Sequence, residues 1–508
     1  MIAKARRRCG LYITQLFLAM SLASDEAVKQ FRVTDGLVDT ILSCSSYAKK
    51  ERIRRRWVRY PIELAKRLVT KEKSEVPFLA AASIGDGLTG SIQGASNQLL
   101  AAIGYNQWYP KRVGQKGLRI LCLDGGGTRG ITAISTMRSI VDALGGVEVC
   151  DAFDLIAGTS TGAIIAFLVG LRRESSIMAR KRYDQLIKRI FVKSALSTPM
   201  LLFTTATYDE APFNSVMTKI LRDNSMLSSR ADPRVPLVFA ISSKMSVTPT
   251  QLCLFRNYNY SGGEMEDSFV ENPLKAKAEI GLVTEDDVYH ATGKLIFSAA
   301  DQRDKPIPKH SKGSRHPGSF RVLQRAALRA TTAAPTVFKP VLMGGELYCD
   351  GGIVASNPSA VAIHEARTVF PDVPIEMVVS CGTGAFLEEK SEPRIGWDGI
   401  IGQIVNSATD GEQTHHVLED ILGQGGTAKL GRSHISKTKY YRFNPIVGTS
   451  DTFPIDGTDP MQLEELSKIA TAYMQEPEQM EKLNEIVEIL NGKKESLLKR
   501  VFRRKRKI

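Results

Sequence analysis

From residue 25 to about 106, apolar residues recur every three or four positions with few strand-like runs, which predicts a helical N-terminal region. After Tyr109-Pro110 the pattern changes. Leu118–Leu123 (LRILCL) predicts a short buried strand, followed by a glycine-rich loop and a helix over residues 131–144. Residues 153–157 predict a second strand that leads through 158–162 into an apolar helix over 163–171. Residues 235–242 and Ile375–Cys381 read as further strands, with helical stretches between them. Strands alternating with helices predict an α/β fold, three layers with a mostly parallel central sheet. Residues 259–319, rich in Gly, Ser, Lys and Asp, read as a long polar excursion.

Length and composition narrow the class. The 508 residues are too many for one small core and imply two to four folding units. A hydrophobic fraction of 43% with 24% charged residues excludes wholesale disorder. No apolar run reaches the roughly 20 residues of a membrane-spanning helix, which excludes a multi-span membrane protein. The formal charge of +14 points to an anionic partner, and its distribution says more than its total. Residues 1–118 hold 20 Lys+Arg against 9 Asp+Glu, and residues 493–508 hold 9 against 1. The basic character therefore lies at the two ends, +11 and +8, and the segment between carries −5. That distribution argues against nucleic acid and for an anionic lipid surface. The seven cysteines are odd in number and without CxxC pairs, which fits a reducing, intracellular compartment.

The first 24 residues contain four basic residues and no acid, and residues 11–23 read LYITQLFLAMSLA. Three readings stand: a secretory signal, an organellar transit segment, or the first helix of a helical module. The cysteines count against secretion. Residues 52–69, RIRRRWVRYPIELAKRLV, form a basic amphipathic stretch suited to a membrane surface or an acidic partner. The expected organisation is a possible targeting segment or first helix at 1–24, a helical region at 25–116, a catalytic domain at 117–390, an extension at 391–492 packed on it, and a basic tail at 493–508.

The chemistry concentrates in three glycine-containing turns. Gly158-Thr159-Ser160-Thr161-Gly162 is a GxSxG pentapeptide placed between a predicted strand and a predicted helix. A nucleophilic serine needs such a strained turn, where the glycines remove side chains that would collide. Asp124-Gly125-Gly126-Gly127-Thr128-Arg129-Gly130 follows the first strand. Its bare backbone N–H groups suit an oxyanion hole, or equally a dinucleotide phosphate, since Gly125, Gly127 and Gly130 match GxGxxG with Asp151 some 20 residues on. The serine turn favours acyl transfer. None of the seven histidines presents itself as the base. Asp350-Gly351-Gly352, between a strand and a helix, is better placed, because a desolvated carboxylate beside Ser160 gains basicity.

Taken together, DGGGTRG, GTSTG and DGG resemble the patatin-like phospholipases. The match runs over residues 117–491 and includes FDLIAGTSTG at 153–162, LFRNY at 254–258, ALRATTAAP at 327–335, SCGTG at 380–384 and YYRFNP at 440–445. The NSATDGEQTHHVLEDIL stretch and YYRFNP look like the calcium-independent phospholipase A2 gamma branch and related plant acyl hydrolases. The resemblance implies a patatin-type fold and a Ser–Asp dyad of Ser160 and Asp350. It also implies an oxyanion hole framed by Gly125, Gly126, Gly127, Arg129 and Gly130. One departure is Ser356-Asn357-Pro358, where the family often has Asn-Asn-Pro. The expected activity is release of fatty acids from membrane glycerolipids, with galactolipids, neutral glycerides or lysophospholipids as other substrates. No HExxH and no EF-hand loop occurs, so neither metal nor cofactor is expected. The expected partner is a phospholipid surface, peripherally bound and conceivably on an organelle, with a homodimer also compatible. Two other classes remain, a non-catalytic membrane scaffold and a nucleotide binder at Gly125 to Gly130.

Overall fold

The structure, a computed structural model, describes residues 2–34, 36–45, 92–190, 208, 210–260, 313–335, 337–386, 410–422, 438–449 and 452–491. The basic stretch at 52–69, most of the polar excursion and the basic tail lie outside the described residues. The chain divides into two compact units that interleave along the sequence. The first is Met1–Asn106 with Val192–Val354, and the second is Gln107–Phe191 with Ala355–Ile508. Elements are numbered along the chain.

The first unit opens with helices α1 (Ile2–Ala23), α2 (Asp25–Val33), α3 (Leu37–Cys44) and α4 (Ile92–Ala102). Their apolar positions converge on one core of Phe17, Val28, Phe31, Leu37, Ile41, Leu99 and Leu100. The apolar run at 11–23 is thus helical and buries Phe17, Leu18 and Ala19 within this unit, while Tyr12 stays exposed. Ser24 caps α2 by accepting from the Ala27 N–H. Further along come α8 (Glu210–Leu221), β3 (Leu237–Lys244), β4 (Gln251–Arg256), β5 (Gly318–Ser319), α9 (Gln324–Thr331), β6 (Val341–Met343) and β7 (Glu346–Asp350). β3 lies between β4 and β7 and is antiparallel to both, β6 pairs antiparallel with β7, and β5 joins β4 in parallel. The β6–β7 hairpin turns on Gly344 and Gly345, both at positive φ, as a two-residue turn requires.

The second unit carries the parallel sheet. Its strands are β1 (Leu118–Leu123), β2 (Leu155–Thr159), β8 (Ile375–Cys381) and β9 (Lys439–Phe443). They run in the order β2-β1-β8-β9, each pair parallel. β1 and β2 are buried along their whole length, the mark of a sheet covered on both faces. The covering helices are α5 (Gly130–Ala143), α6 (Thr161–Ala166), α7 (Ser176–Ile190), α10 (Ser359–Val369), α11 (Glu412–Leu422), α12 (Pro460–Tyr473) and α13 (Pro477–Leu490). α10 packs on β1, β2 and β8, and α5 packs with α7, α12 and α13.

Predicted and observed elements differ at their ends. β2 starts two residues later than expected, because Phe153 terminates a short helix, Val149–Ala152. The helix expected over 163–171 starts at Thr161, directly after Ser160, and passes into a π-helical turn, Phe167–Leu171. Cys122 and Cys381 sit in β1 and β8 as small buried side chains, and burial pushes the Cys381 thiol up to about 12. Among the described residues, no helix is long and apolar enough to cross a membrane.

Candidate active site

Ser160 sits between the last residue of β2 and the first of α6, with φ 51° and ψ −122°. A non-glycine residue in that region is strained, and here the strain is held from both sides. A Cβ on Gly158 would lie 2.4 Å from the Gly162 carbonyl oxygen, and one on Gly162 would lie 2.2 Å from the Leu123 carbonyl oxygen. Neither glycine tolerates a side chain, because the turn is pressed against itself and against the end of β1. The Ala163 N–H donates 2.9 Å to the Ser160 carbonyl, so the turn enters the helix directly. Ser160 itself is 8% exposed.

The DGGGTRG loop leaves β1 beside this turn. A Cβ on Gly125 would stand 3.3 Å from Ser160 Cβ. Gly126 and Gly127 are as constrained: a Cβ would meet Thr383 Oγ1 at 2.1 Å and the Ile455 carbonyl oxygen at 1.9 Å. The five residues named for the oxyanion hole play different parts. The Gly125 N–H donates to the Ser356 carbonyl at 3.2 Å, while the Gly126 and Gly127 N–H groups meet no acceptor among the described residues. Arg129 stacks its guanidinium on Phe386 with 4.4 Å to the ring centroid, and burial pulls it down to about 10. Gly130 starts α5, and its missing side chain leaves room for Tyr183, whose hydroxyl donates 2.6 Å to the Gly127 carbonyl. The Ser356-Asn357-Pro358 segment supports its surroundings: Ser356 holds Gly125, and Asn357 Oδ1 accepts from the Ser359 N–H at the start of α10.

A buried charge cluster lies at the root of the loop, and the sequence reading missed it. Arg442 Nη1 donates to Asp124 Oδ2 at 2.7 Å and to Ser380 Oγ at 2.8 Å. Its Nε and Nη2 donate to Glu412 Oε1 at 3.1 and 2.7 Å, and Asn444 Nδ2 donates to the same oxygen at 2.7 Å. Burial raises the Asp124 carboxyl to about 7, with Arg442 pulling it back only in part. The available signal was an arginine inside the apolar run KYYRF, where a charge needs partners. Asp151 turns to solvent and pairs with Arg173 at 2.6 Å, which spends the carboxylate considered for a ribose. Glu412, His415 and His416 bring ligand atoms within 4.8 Å of one another on α11, but Glu412 is already held by Arg442 and Asn444.

In the first unit, Asp350 ends β7 and is 5% exposed. The Gly352 N–H donates 2.7 Å to Asp350 Oδ1 and fixes the carboxylate's orientation. The residues of the ALRATTAAP run hold the backbone: the Asp350 and Gly351 N–H groups donate to the Ala333 and Thr331 carbonyls. From β3, Ser243 Oγ donates 2.6 Å to the Asp350 carbonyl and Ser242 Oγ donates 2.8 Å to that of Cys349. LFRNY ends β4, and there Asn257 Oδ1 accepts from the Val238 N–H of β3 at 2.8 Å.

A strand-turn-helix serine beside a glycine loop, on a parallel sheet covered by helices, has the geometry that a nucleophile elbow requires. Residues 121–363 match the family model of the patatin-like phospholipases. Calcium-independent phospholipase A2-gamma of Homo sapiens is 29% identical over 415 residues, covering 80% of this chain and 44% of that protein. Phospholipase A I of Arabidopsis thaliana is 27% identical over 397 residues, covering 72% of this chain and 28% of that protein. A cGAMP-activated phospholipase of Vibrio cholerae is 28% identical over 291 residues, covering 54% and 66%. The chain thus spans less than half the length of the first two relatives.

Proposed function

We propose that this chain is a lipid acyl hydrolase of the calcium-independent phospholipase A type, acting through a Ser160–Asp350 dyad on membrane glycerolipids. The observation that carries the proposal is the Ser160 turn, strained at φ 51° and locked by glycines that admit no Cβ. Evolution of such a turn makes sense for a reactive side chain that must stand proud of its strand. In the proposed reaction, Ser160 Oγ attacks the acyl carbonyl as Asp350 takes its proton. The Gly126 and Gly127 N–H groups receive the tetrahedral oxyanion. The intermediate collapses and the glycerol oxygen leaves with the proton from Asp350. Water then attacks the acyl-serine with Asp350 as base, and the bond to Ser160 Oγ breaks as Asp350 returns the proton to it, releasing the fatty acid. The basic ends at 1–118 and 493–508 would hold the protein on an anionic bilayer, each cation near the surface contributing on the order of 1 kcal/mol. On this reading the protein acts inside the cell, peripherally on a membrane.

The test is product analysis on phospholipid vesicles whose two acyl chains differ, with and without chelator. Fatty acid should be released at the same rate with chelator present. Ser160→Ala should abolish release and labelling by a fluorophosphonate, and Asp350→Asn should lower turnover by about 10³-fold or more. Normal turnover in Asp350→Asn would sink the dyad. Release of galactolipid, neutral glyceride or lysophospholipid acyl chains in preference would move the substrate while keeping the chemistry.

A further inference from the structure

The C-terminal motifs YYRFNP and DGEQTHH leave a residue that the acyl-transfer chemistry above does not use. Arg442 lies in β9, fully enclosed, with its side chain 4% exposed, and so is the side chain of Asp124 that it meets. Charges are rarely kept in such a place for stability alone, because their desolvation cancels most of the attraction. Its geometry is that of a bracket. One arm holds Asp124 and Ser380, the other holds Glu412, and Glu412 is braced by Asn444. Gly411 leaves the space: a Cβ there would lie 2.6 Å from Asp124 Oδ2 and 3.0 Å from Arg442 Nη2.

Asp124 is the residue immediately before the glycine loop. Its own N–H is held by the Cys381 carbonyl at 3.1 Å, and the Gly125 carbonyl accepts from Thr383 Oγ1 at 2.9 Å. Beyond that point the loop carries the Gly126 and Gly127 amides, and a glycine backbone has no side chain to hold its direction. A planar, five-donor guanidinium can fix a carboxylate and a second anchor in one plane, which an ammonium cannot.

We propose that Arg442 is a positioning residue: by tying Asp124 to Glu412 it sets the direction of the Gly126 and Gly127 amides toward the developing oxyanion. Its kinetic consequence rests on the hydrolase reading above, whereas its mechanical consequence does not. The C-terminal segment is then part of the loop that meets the transition state, although none of its residues touches the substrate.

The experiment uses the full chain and the variants Arg442→Met, Arg442→Lys and Glu412→Gln. Hydrogen exchange is read on the peptide spanning 124–130 and on β2, alongside kcat and KM for phosphatidylcholine in mixed micelles. In Arg442→Met the loop amides should exchange about tenfold faster while β2 keeps its protection. The kcat should fall about 10²-fold, in the range of a misplaced oxyanion donor, with KM changed less than about threefold. Arg442→Lys should recover part of kcat, and Glu412→Gln, which keeps the shape and one acceptor oxygen but not the charge, should lose about fivefold. Unchanged loop exchange in a folded Arg442→Met overturns the proposal, and so does an equal rise in loop and β2 exchange. If Arg442→Met does not fold, unchanged loop exchange in Glu412→Gln overturns it. A wild-type chain that releases no fatty acid defeats the hydrolase reading, and loop exchange still decides the bracket.

Discussion

The turns around Ser160 and Asp350 perform the same structural task, presenting a polar side chain at the end of a strand before a helix, and they are built differently. The Ser160 turn is set by contact. Gly158, Gly162 and Gly125 bring backbone against backbone at separations that exclude a methyl group or barely accept one. The Asp350 turn is set by hydrogen bonds. Its amides are held by the Thr331 and Ala333 carbonyls and its carbonyl by Ser243. Contact geometry can be met by one residue type only, whereas a backbone carbonyl can come from any residue. Steric fit therefore leaves a mark in the sequence, and backbone hydrogen bonding leaves almost none.

The sharpest way to break the contrast is Gly162→Ala. The new methyl would stand 2.2 Å from the Leu123 carbonyl and 2.6 Å from that of Asp124, both main-chain atoms that cannot swing away. The expected loss is about 3 kcal/mol or more, with no fluorophosphonate labelling in whatever protein folds. Gly145→Ala is the control: unlike Gly162 it sits at positive φ, but it meets nothing within 4 Å, so backbone strain alone should cost about 1 kcal/mol. Urea midpoints of the two variants measure the difference. Equal losses would mean that the contacts at Gly162 yield without cost and do not set the turn.

This asymmetry explains what the sequence alone could reveal. GxSxG and DGGGTRG were readable because each contains glycines forced by close approach. The strands Leu118–Leu123 and Ile375–Cys381 were readable to the residue, since buried parallel strands are continuous apolar runs. The antiparallel pairing of β3 with β4 and β7 was not, because partner choice between distant segments has no local signal. Neither was the different use of the loop amides: only the fold shows that Ser356 takes the Gly125 N–H. Arg442 was half visible, an arginine in an apolar strand, but its partners lie 318 and 30 positions away (Asp124 and Glu412).

The second prediction concerns the buried charge at the root of the glycine loop. Burial lifts Asp124 from the usual carboxylate range to about 7. Facing it are Arg442 from β9, Glu412 and Asp410 at the start of α11, and Cys122, Cys381 and Tyr440 in the strands. A raised folded-state value means that the folded chain holds a proton the unfolded chain has lost. Its stabilisation is complete below pH 4 and disappears as pH rises through 7. Wild type should therefore lose stability between pH 4 and 7 with a slope of at most about 1.4 kcal/mol per pH unit from this group. Asp124→Asn should remove that slope. Parallel curves for the two proteins from urea titrations at pH 5, 6, 7 and 8 would show that Arg442 keeps Asp124 ionised throughout.

The smallest effect tests the hydrogen-bonded side. Ser243→Ala removes the Oγ donor that reaches the Asp350 carbonyl at 2.6 Å in a buried setting, and introduces no clash. A buried acceptor that loses its partner costs about 1–2 kcal/mol, well below the expected loss in Gly162→Ala. Turnover should fall only a few-fold, because the Ala333 carbonyl and the Gly352 N–H still hold Asp350 from the other side. Adding Ser242→Ala removes the neighbouring bond to Cys349 and should lower the urea midpoint by a similar further step, since each serine meets its own carbonyl. A collapse of activity in Ser243→Ala, at near-normal stability, would reverse the comparison: the hydrogen-bonded turn would then be the more exacting of the two, with one buried donor setting where the carboxylate of Asp350 stands.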